Sequence, residues 1–270
     1  MGNDLSREHS EAIHAEEKVK KVKIDVYAKT SSLTGFAGLF ESAIRRFRTF
    51  AFIFVLIPIY FLACLCVGIS LIPAFYLNIY IYKSTLLWPA AFHFAGIGFG
   101  LMAGYLLYGF ALIFVVPFFN YILPFKVKPM RGSYFSLEAI PWFVHNALTY
   151  LVRYTFLEFI TPTPFNILFY RMMGMKIGKN VFLNTTRISD PCLITIEDNV
   201  TVGGSATLIA HSASAGYLIV APVHIRKGAT IGLSAIVMGD VVIGENAKIQ
   251  PGVVVLPKSR IPASEKNKGK

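Results

Sequence analysis

The chain has 270 residues, a formal net charge of +11, an apolar content of 54% and only 15% charged residues. This composition excludes an ordinary soluble globular protein and favours one that contacts a membrane. The positive charge does not indicate nucleic-acid binding, because the sequence has no basic helix, zinc-ligand spacing or aromatic RNA-binding motif. Of its three cysteines, Cys64 and Cys66 lie in an apolar stretch and Cys192 lies far away, so no disulfide framework is expected.

Two apolar stretches predict two transmembrane helices. Lys83 is the only charged residue between Arg48 and Lys126, and the stretches around it cover roughly residues 50–72 and 94–119. Each is long enough to cross a bilayer. Arginines precede the first stretch and further basic residues follow the second, so the positive-inside rule predicts an integral membrane protein with both termini in the cytoplasm. Its basic cytoplasmic domain is expected to contact anionic membrane lipids.

Gly96, Gly100 and Gly104 recur every four residues in the second stretch and build a smooth helix face. A stripe of small residues lets another helix approach closely. The partner helix is either the first span of the same chain or a span of a second subunit.

Residues 135–174 are rich in aromatic side chains but carry too many charges to span a bilayer. They predict helices that lie at the membrane surface. Thr163 is a candidate N-cap for the last of them, and Pro164 suits the first helical position.

The C-terminal part repeats with a period of six residues. The aliphatic positions are Ile225, Ile231, Val237, Ile243, Ile249, Val255 and Ile261. A small or β-branched residue stands four places after each of the first six. Fixed periods of this kind indicate a β-helix, in which three hexads form a triangular coil of about eighteen residues. Both residues of each hexad are expected to point inward, and Gly228, Asp240, Asn246 and Gly252 are expected at corners. Residues 211–224 lose the period and are predicted to form a loop that leaves the coil.

The segments GMKIGKNVFLN, ITIEDNVTVGGSATLIAH and ATIGLSAIVMGDVVIGENAKIQPGVVV resemble the bacterial hexapeptide-repeat acyltransferase family. This resemblance implies a left-handed parallel β-helix, a homotrimer with active sites in clefts between neighbouring coils, and an acyl thioester of coenzyme A (acyl-CoA) as donor. The complete arrangement is also similar to the membrane-anchored C-terminal repeats of poly-lysine synthetase-like peptide synthetases. That second similarity implies an amine acceptor and a carrier-bound thioester donor.

The predicted fold is an N-terminal α-helical membrane hairpin followed by an all-β left-handed parallel β-helix. Its segments are a polar cytoplasmic segment (1–44), a two-span hairpin (45–125), interfacial helices (126–174), the β-helix (175–264) and a basic tail (265–270).

His211 is the candidate general base, because histidine exchanges protons near neutral pH and this residue opens the loop that leaves the coil. The alternative interpretation is a surface histidine in a flexible loop. The backbone N–H groups of Gly203 and Gly204, beside Ser205, are candidate oxyanion donors. His224 is a competing base, although its neighbours favour a position on the coil wall.

For the donor, the resemblance implies contacts from backbone groups of successive coils and from basic residues near the C-terminal end. Gly232, Ser234 and Ala235 match the close-approach segment, and Lys258 and Arg260 are candidates for the phosphates. The two basic residues alternatively protect the exposed end coil from strand pairing. No metal is expected, because a catalytic zinc site needs three protein ligands and the repeats contain only two histidines.

The sequence therefore favours a membrane-anchored acyltransferase that acts on a small or lipid-linked acceptor. The alternative is a β-helix scaffold without catalytic activity, anchored in the membrane as part of a larger assembly. The irregular first block, with Arg187 at a small-residue position, favours the scaffold.

Overall fold

The structure, a computed structural model, describes residues 25 and 28–264, apart from the side chains of residues 49–52. The tail predicted at residues 265–270 and most of the polar start of the chain lie outside these residues. Within the segment predicted as polar, the structure adds an amphipathic helix, α1 (Gly35–Arg46). Glu41 and Arg45 form a buried ion pair on its inner face, with N···O at 2.8 Å, while its apolar Phe36 is exposed.

The predicted membrane hairpin consists of two long helices, α2 (Arg48–Thr85) and α3 (Ala90–Ile122). Both are apolar and long enough to cross a membrane. At 1.5 Å per residue each is about 50 Å or more in length, which exceeds the roughly 30 Å of a hydrocarbon core. The helices therefore extend well past the predicted apolar stretches.

The glycine face of α3 packs against α2 of the same chain, as the first of the two interpretations expected. A Cβ on Gly96 would touch Thr85, one on Gly100 would touch Ile81, and one on Gly104 would touch Ala74. The stripe thus serves close packing within the hairpin.

Short helices connect the hairpin to the β-helix. They are α4 (Ile140–Val152), one π-helical turn (Arg153–Leu157), α5 (Glu158–Ile160) and α6 (Pro164–Met172), with a 3₁₀ turn (Leu137–Ala139) before α4. Pro164 begins α6 as expected, but the Thr163 hydroxyl makes no capping hydrogen bond. The C-terminal half of α3 is buried against these helices, and Gly109 lies directly under the ring of Phe156.

The repeat domain is a parallel β-helix with three sheets, one on each side of the triangle. The first side contains β2 (Lys176–Ile177), β5 (Ile194–Ile196), β10 (Val223–Ile225), β13 (Val241–Ile243) and β16 (Arg260–Ile261). The second contains β3 (Phe182–Leu183), β6 (Thr201–Val202), β11 (Thr230–Ile231) and β14 (Lys248–Ile249). The third contains β4 (Ile188–Ser189), β7 (Thr207–Ile209), β12 (Ile236–Val237) and β15 (Val254–Val255). All neighbouring strands within these sheets are parallel.

The six-residue period builds the core of this domain. Ile196, Ile225 and Ile243 pair in register along one side, and each is buried. Ala229 and Ala235 are also fully buried, so the small position does point inward. Because the parallel strands are in register, each aliphatic side chain packs on the aliphatic side chain of the next coil. Every coil therefore needs an aliphatic residue at the same position, which explains why the period persists through the domain.

The corners have the expected backbone conformation. Gly228, Asp240, Asn246 and Gly252 have φ values of +71°, +61°, +56° and +73°. Glycine, asparagine and aspartate adopt this left-handed region at low cost, so they are favoured where each side of the triangle turns into the next.

The excursion at residues 211–224 is more regular than the predicted loop. It forms a hairpin of β8 (His211–Ser214) and β9 (Tyr217–Val220), which pairs antiparallel with β1 (Met130–Ser133). The N–H of Ala221 donates to the carbonyl of Ala210 at 2.8 Å and closes the base of the hairpin. The coil resumes at Val223, so the hairpin projects from one corner of the prism.

Candidate active site

Corner residues of successive coils create the surroundings of His211. The third side of the triangle turns into the first at Asp190, then at the base of the hairpin, then at Asp240 and finally at Lys258. Asp190 therefore lies one coil below the point where His211 leaves the prism. Its φ of +57° turns the chain and directs the carboxylate toward the hairpin.

His211 and Asp190 form a hydrogen-bonded pair. The distance from His211 Nδ1 to Asp190 Oδ2 is 2.6 Å. Asp190 is fully buried, whereas the His211 side chain is 22% exposed. Because a carboxylate only accepts hydrogen bonds, it holds the proton of the neutral ring on Nδ1 and leaves Nε2 with a free lone pair. An imidazole in this tautomer is suited to remove a proton from a bound molecule.

A second residue fixes the carboxylate itself. Asn146 Nδ2 donates to Asp190 Oδ1 at 2.6 Å, and the backbone N–H of Asp190 donates to Asn146 Oδ1 at 3.2 Å. Asn146 belongs to α4, so a helix outside the repeats positions a residue of the β-helix. These reciprocal bonds compensate for the burial of the charged carboxylate.

The same face of α4 holds the imidazole ring in place. The Trp142 ring meets the His211 ring edge to face, with centroids 5.0 Å apart. One turn later, His145 Nδ1 donates to Asn120 Oδ1 of α3 at 2.9 Å, while the Nε2 atom of His145 is buried without a partner. Burial lowers the pKa of His145 to about 4. His145 therefore stays neutral beside the Asp190 carboxylate.

Two further groups near Asp190 are kept protonated. Burial, reinforced by Asp190, raises the pKa of the Cys192 thiol to about 12, which makes a thiolate nucleophile at this position unfavourable. Burial also raises the pKa of Tyr150, whose hydroxyl lies 2.7 Å from Ser189 Oγ. The Cys192 thiol and the Tyr150 hydroxyl are therefore poorly suited to act as nucleophiles beside Asp190.

The interpretation of His211 as a flexible surface histidine does not agree with these contacts. His224, the competing base, lies on the coil wall as expected. Its Nε2 atom is 2.8 Å from Glu197 Oε1, and its side chain is 40% exposed on the first side of the triangle.

The candidate oxyanion donors lie at a different corner from His211. The N–H of Gly203 donates to the carbonyl of Ile231, and the carbonyl of Gly204 accepts from the N–H of Ser234. Strand β7 separates them from His211, so the distance is roughly 15–20 Å at about 3.3 Å per residue. Within one chain, the structure does not bring Gly203 or Gly204 to the base.

The residues predicted for the thioester donor divide between the two corners. Gly232 and Ser234 share the corner of Gly203 and Gly204, and Ala235 is fully buried in the core. Lys258 and Arg260 instead lie on the last coil that the structure describes, where the third side turns into the first, as it does at the His211 corner.

The two basic residues differ in their availability. The Arg260 guanidinium bonds to the Asp240 carboxylate at 2.6 Å and to its carbonyl, whereas the Lys258 side chain is exposed. The backbone N–H of Lys258 donates to the carbonyl of Asp240, which stands one coil earlier at the same edge of the prism. Lys258 therefore lies two coils, or roughly 10 Å along the prism, from the base of the hairpin.

Sequence reasoning missed Asp190, Asn146 and Trp142. Asp190 was detectable in principle. When the excursion at residues 211–224 is left out of the count, Asp190 precedes Asp240 by two coils and so occupies the same corner. Asn146 and Trp142 gave no such signal. Within the part of the chain that the structure describes, no group of three or more histidine, cysteine or acidic residues is arranged to hold a metal ion.

Residues 222–257 match the model described as "Bacterial transferase hexapeptide (six repeats)". The match confirms the predicted resemblance to hexapeptide-repeat transferases for this segment of the β-helix.

Three similar proteins illustrate the match. Delta-poly-L-ornithine synthetase of Acinetobacter baumannii is 28% identical over 82 residues, which are 30% of this chain and 6% of the relative. A hexapeptide-repeat acetyltransferase from Vibrio cholerae is 26% identical, with 34% of this chain and 55% of that chain covered and a TM-score of 0.30. Serine acetyltransferase with coenzyme A from Brucella abortus is 20% identical, with 46% and 50% covered and a TM-score of 0.28. The chain thus spans 6% of the length of the curated relative and about half of each of the two solved chains.

Proposed function

We propose that this protein is a membrane-anchored acyltransferase that moves an acyl group from a thioester, acyl-CoA or a carrier-bound equivalent, to an amine or hydroxyl acceptor. The observation that carries this proposal is the His211–Asp190 pair, held by Asn146 at a corner of a hexapeptide-repeat β-helix. It is the arrangement that general-base catalysis requires.

The reaction follows from the tautomer of His211. Nε2 accepts the proton of the acceptor's hydroxyl or amine as its oxygen or nitrogen attacks the thioester carbon. The resulting imidazolium carries its Nδ1 proton toward the Asp190 carboxylate, whose negative charge stabilises it. The tetrahedral intermediate then expels the thiolate, which takes the proton from Nε2. The products are an ester or amide and a free thiol, and His211 returns to its starting state.

Lys258 is the residue we propose for the donor phosphates, since its ammonium group is exposed along the His211 corner. Arg260 supports this corner through Asp240 rather than by facing a ligand. The second corner, with Gly203, Gly204, Gly232 and Ser234, meets His211 only if it comes from a neighbouring subunit. The proposed homotrimer provides such a neighbour, with each active site between two chains.

We further propose that the catalytic site faces the cytoplasm at the membrane surface. The backbone N–H of Leu137 donates to Glu41 of α1 at 3.2 Å, and the Arg48 guanidinium lies over the Phe135 ring. These contacts join α1 and the first residue of α2 to the chain after α3, which supports a hairpin with both ends on one side. Confinement of enzyme and acceptor to one surface raises their encounter frequency, which favours a lipid-linked or membrane-associated acceptor.

The test uses the full-length protein purified in detergent and incubated with isotopically labelled acetyl-CoA and total membrane extract, followed by mass analysis of labelled products. We expect a labelled product from the wild type and a loss on the order of 10²–10⁴-fold for His211→Ala. His224→Ala is the matched control, because it removes a histidine from the same domain but away from Asp190.

A scaffold predicts a different result. If the wild type gives no labelled product with any acyl-CoA or carrier thioester, while the His211→Ala protein assembles in the membrane as the wild type does, the non-catalytic alternative is correct.

A further inference from the structure

A cleft lies on the side of the molecule away from His211, where α6 packs on the first coil of the β-helix. It has a volume of about 390 Å³ and is lined by residues 162–164, residues 166–168 and Arg171 on one side and by residue 178 and residues 180–183 on the other. Because Leu183 belongs to the second side of the triangle, this cleft is separate from the His211 corner.

Two polar groups in this cleft have no partner. Asn166 is fully buried, and its Nδ2 donates to the Leu183 carbonyl at 2.9 Å, while its Oδ1 accepts nothing. The Thr163 hydroxyl is also buried and unpartnered, and it does not cap α6. An unsatisfied buried polar group destabilises the folded protein, so native proteins rarely keep one without a ligand or water.

The walls around these groups are apolar and adjoin the membrane hairpin. Leu168 and Phe182 line the cleft and are 36% and 51% exposed, and Phe165, which lies between the lining residues Pro164 and Asn166, is 41% exposed. The Phe165 ring contacts the Phe110 ring of α3, with centroids 4.8 Å apart. The cleft therefore opens beside a helix that we assign to the membrane.

The charge of the lining restricts the ligand. None of the residues that line the cleft is acidic, and the basic Arg171 holds the carbonyls of Ile177 and Gly178 at its edge. A cationic headgroup gains no ion pair here, whereas a phosphate lies favourably near the guanidinium. Asn166 Oδ1 requires a donor, and the Thr163 hydroxyl can accept or donate.

We propose that this cleft binds an anionic glycerophospholipid whose headgroup carries hydroxyl groups. A headgroup hydroxyl donates to Asn166 Oδ1 and accepts from Thr163, and the acyl chains extend over Phe165 and Leu168 along α3. The proposal rests on the membrane hairpin of the proposed function but not on acyl transfer, since the bound lipid lies away from His211.

The experiment titrates full-length protein in detergent with dioctanoyl phosphatidylglycerol and, separately, with dioctanoyl phosphatidylcholine, whose choline group has no hydrogen-bond donor. Native mass spectrometry measures the adducts and thermal unfolding measures the Tm. We expect phosphatidylglycerol to form a one-to-one adduct and raise the Tm, and phosphatidylcholine to bind at least tenfold more weakly, a factor that corresponds to one hydrogen bond of about 1.4 kcal/mol.

The variant Thr163→Val gives the decisive result. It removes an unpartnered hydroxyl at nearly constant shape, so the Tm without lipid is expected to stay equal or rise, while the affinity for phosphatidylglycerol falls about tenfold. Thr155→Val is the matched control, because the Thr155 hydroxyl donates to the Leu151 carbonyl outside the cleft. Equal affinity of both lipids, or unchanged affinity in Thr163→Val, overturns the proposal.

Two further variants keep the test independent of folding and of catalysis. Phe182→Ala changes an exposed side chain at the mouth of the cleft and is expected to weaken phosphatidylglycerol binding. If the Thr163→Val protein does not fold, Phe182→Ala takes its place in the test. An unchanged affinity of Phe182→Ala for phosphatidylglycerol then contradicts the proposal. His211→Ala is expected to bind phosphatidylglycerol as the wild type does, even when acyl transfer is lost.

Discussion

The substitution Asp190→Asn tests the tautomer of His211 directly. Asparagine tolerates the positive φ of this corner, so the β-helix is expected to remain folded. The new amide must accept from Asn146 Nδ2 through its oxygen, because two NH₂ groups cannot face each other. Its own NH₂ group then faces His211 Nδ1. The ring responds by placing its proton on Nε2, which removes the lone pair that the proposed reaction needs.

The magnitude has two contributions. Loss of a charge-assisted hydrogen bond costs about 1.5–3 kcal/mol, or roughly 10- to 150-fold in rate. The incorrect tautomer adds to this loss, and the corresponding change in a catalytic triad lowers kcat by about 10⁴-fold. We therefore expect Asp190→Asn to reduce the rate of acyl transfer by about 10³–10⁴-fold. The acceptor KM is expected to change little, because Asp190 is buried behind His211.

A reciprocal exchange distinguishes the tautomer from a general loss of structure. In the double variant Asn146→Asp with Asp190→Asn, residue 146 becomes the acceptor and turns the amide at 190, so that its oxygen again faces His211 Nδ1. Recovery of at least tenfold over Asp190→Asn alone is expected in the labelled acetyl-CoA assay. Wild-type activity in Asp190→Asn, or no recovery in the double variant despite a wild-type Tm, would refute this assignment.

Three predictions concern stability and are measured by thermal or chemical unfolding in detergent. Burial depresses the pKa of His145 from 6.5 to about 4, so the folded protein binds fewer protons than the unfolded chain between these values. The contribution of His145 to the free energy of unfolding is therefore fully present above pH 6.5 and falls by roughly 3 kcal/mol as the pH decreases to about 4. In a His145→Gln protein the free energy of unfolding is expected to lose this dependence on pH, and an unchanged dependence contradicts the assignment to His145. Gly109→Ala places a Cβ inside the ring of Phe156 and is expected to destabilise the protein by about 1–3 kcal/mol, whereas Gly98→Ala, with open space around it, is the silent control. Ile231→Ala removes a fully buried side chain of the coil stack and is expected to cost about 2–5 kcal/mol; a loss below about 1 kcal/mol argues against a tightly packed prism.

The repeat domain was predictable because its order is local and periodic. Aliphatic residues that recur every six positions are all buried in one arrangement of the chain, the three-sided coil. Glycine, asparagine and aspartate identify the corners of that coil. The two apolar stretches predicted two long apolar helices for a similar reason, since the length of each stretch and its lack of charge can be read directly from the sequence. Helix α1 escaped prediction because its apolar residues occur in a short segment with mixed charges.

The candidate site depended on tertiary structure. His211 was visible as the residue that opens the excursion, but its partner stands 21 positions earlier and approaches it only because successive coils align their corners. Asn146 and Trp142 come from a helix outside the repeats, and no period relates them to Asp190. Gly203 and Gly204 are near His211 in sequence yet lie at another corner, because a strand extends straight where a loop would have allowed them to meet. Periodicity thus determined the shape of the prism, whereas the stacking of coils and the packing of α4 decided which side chains meet at its edge.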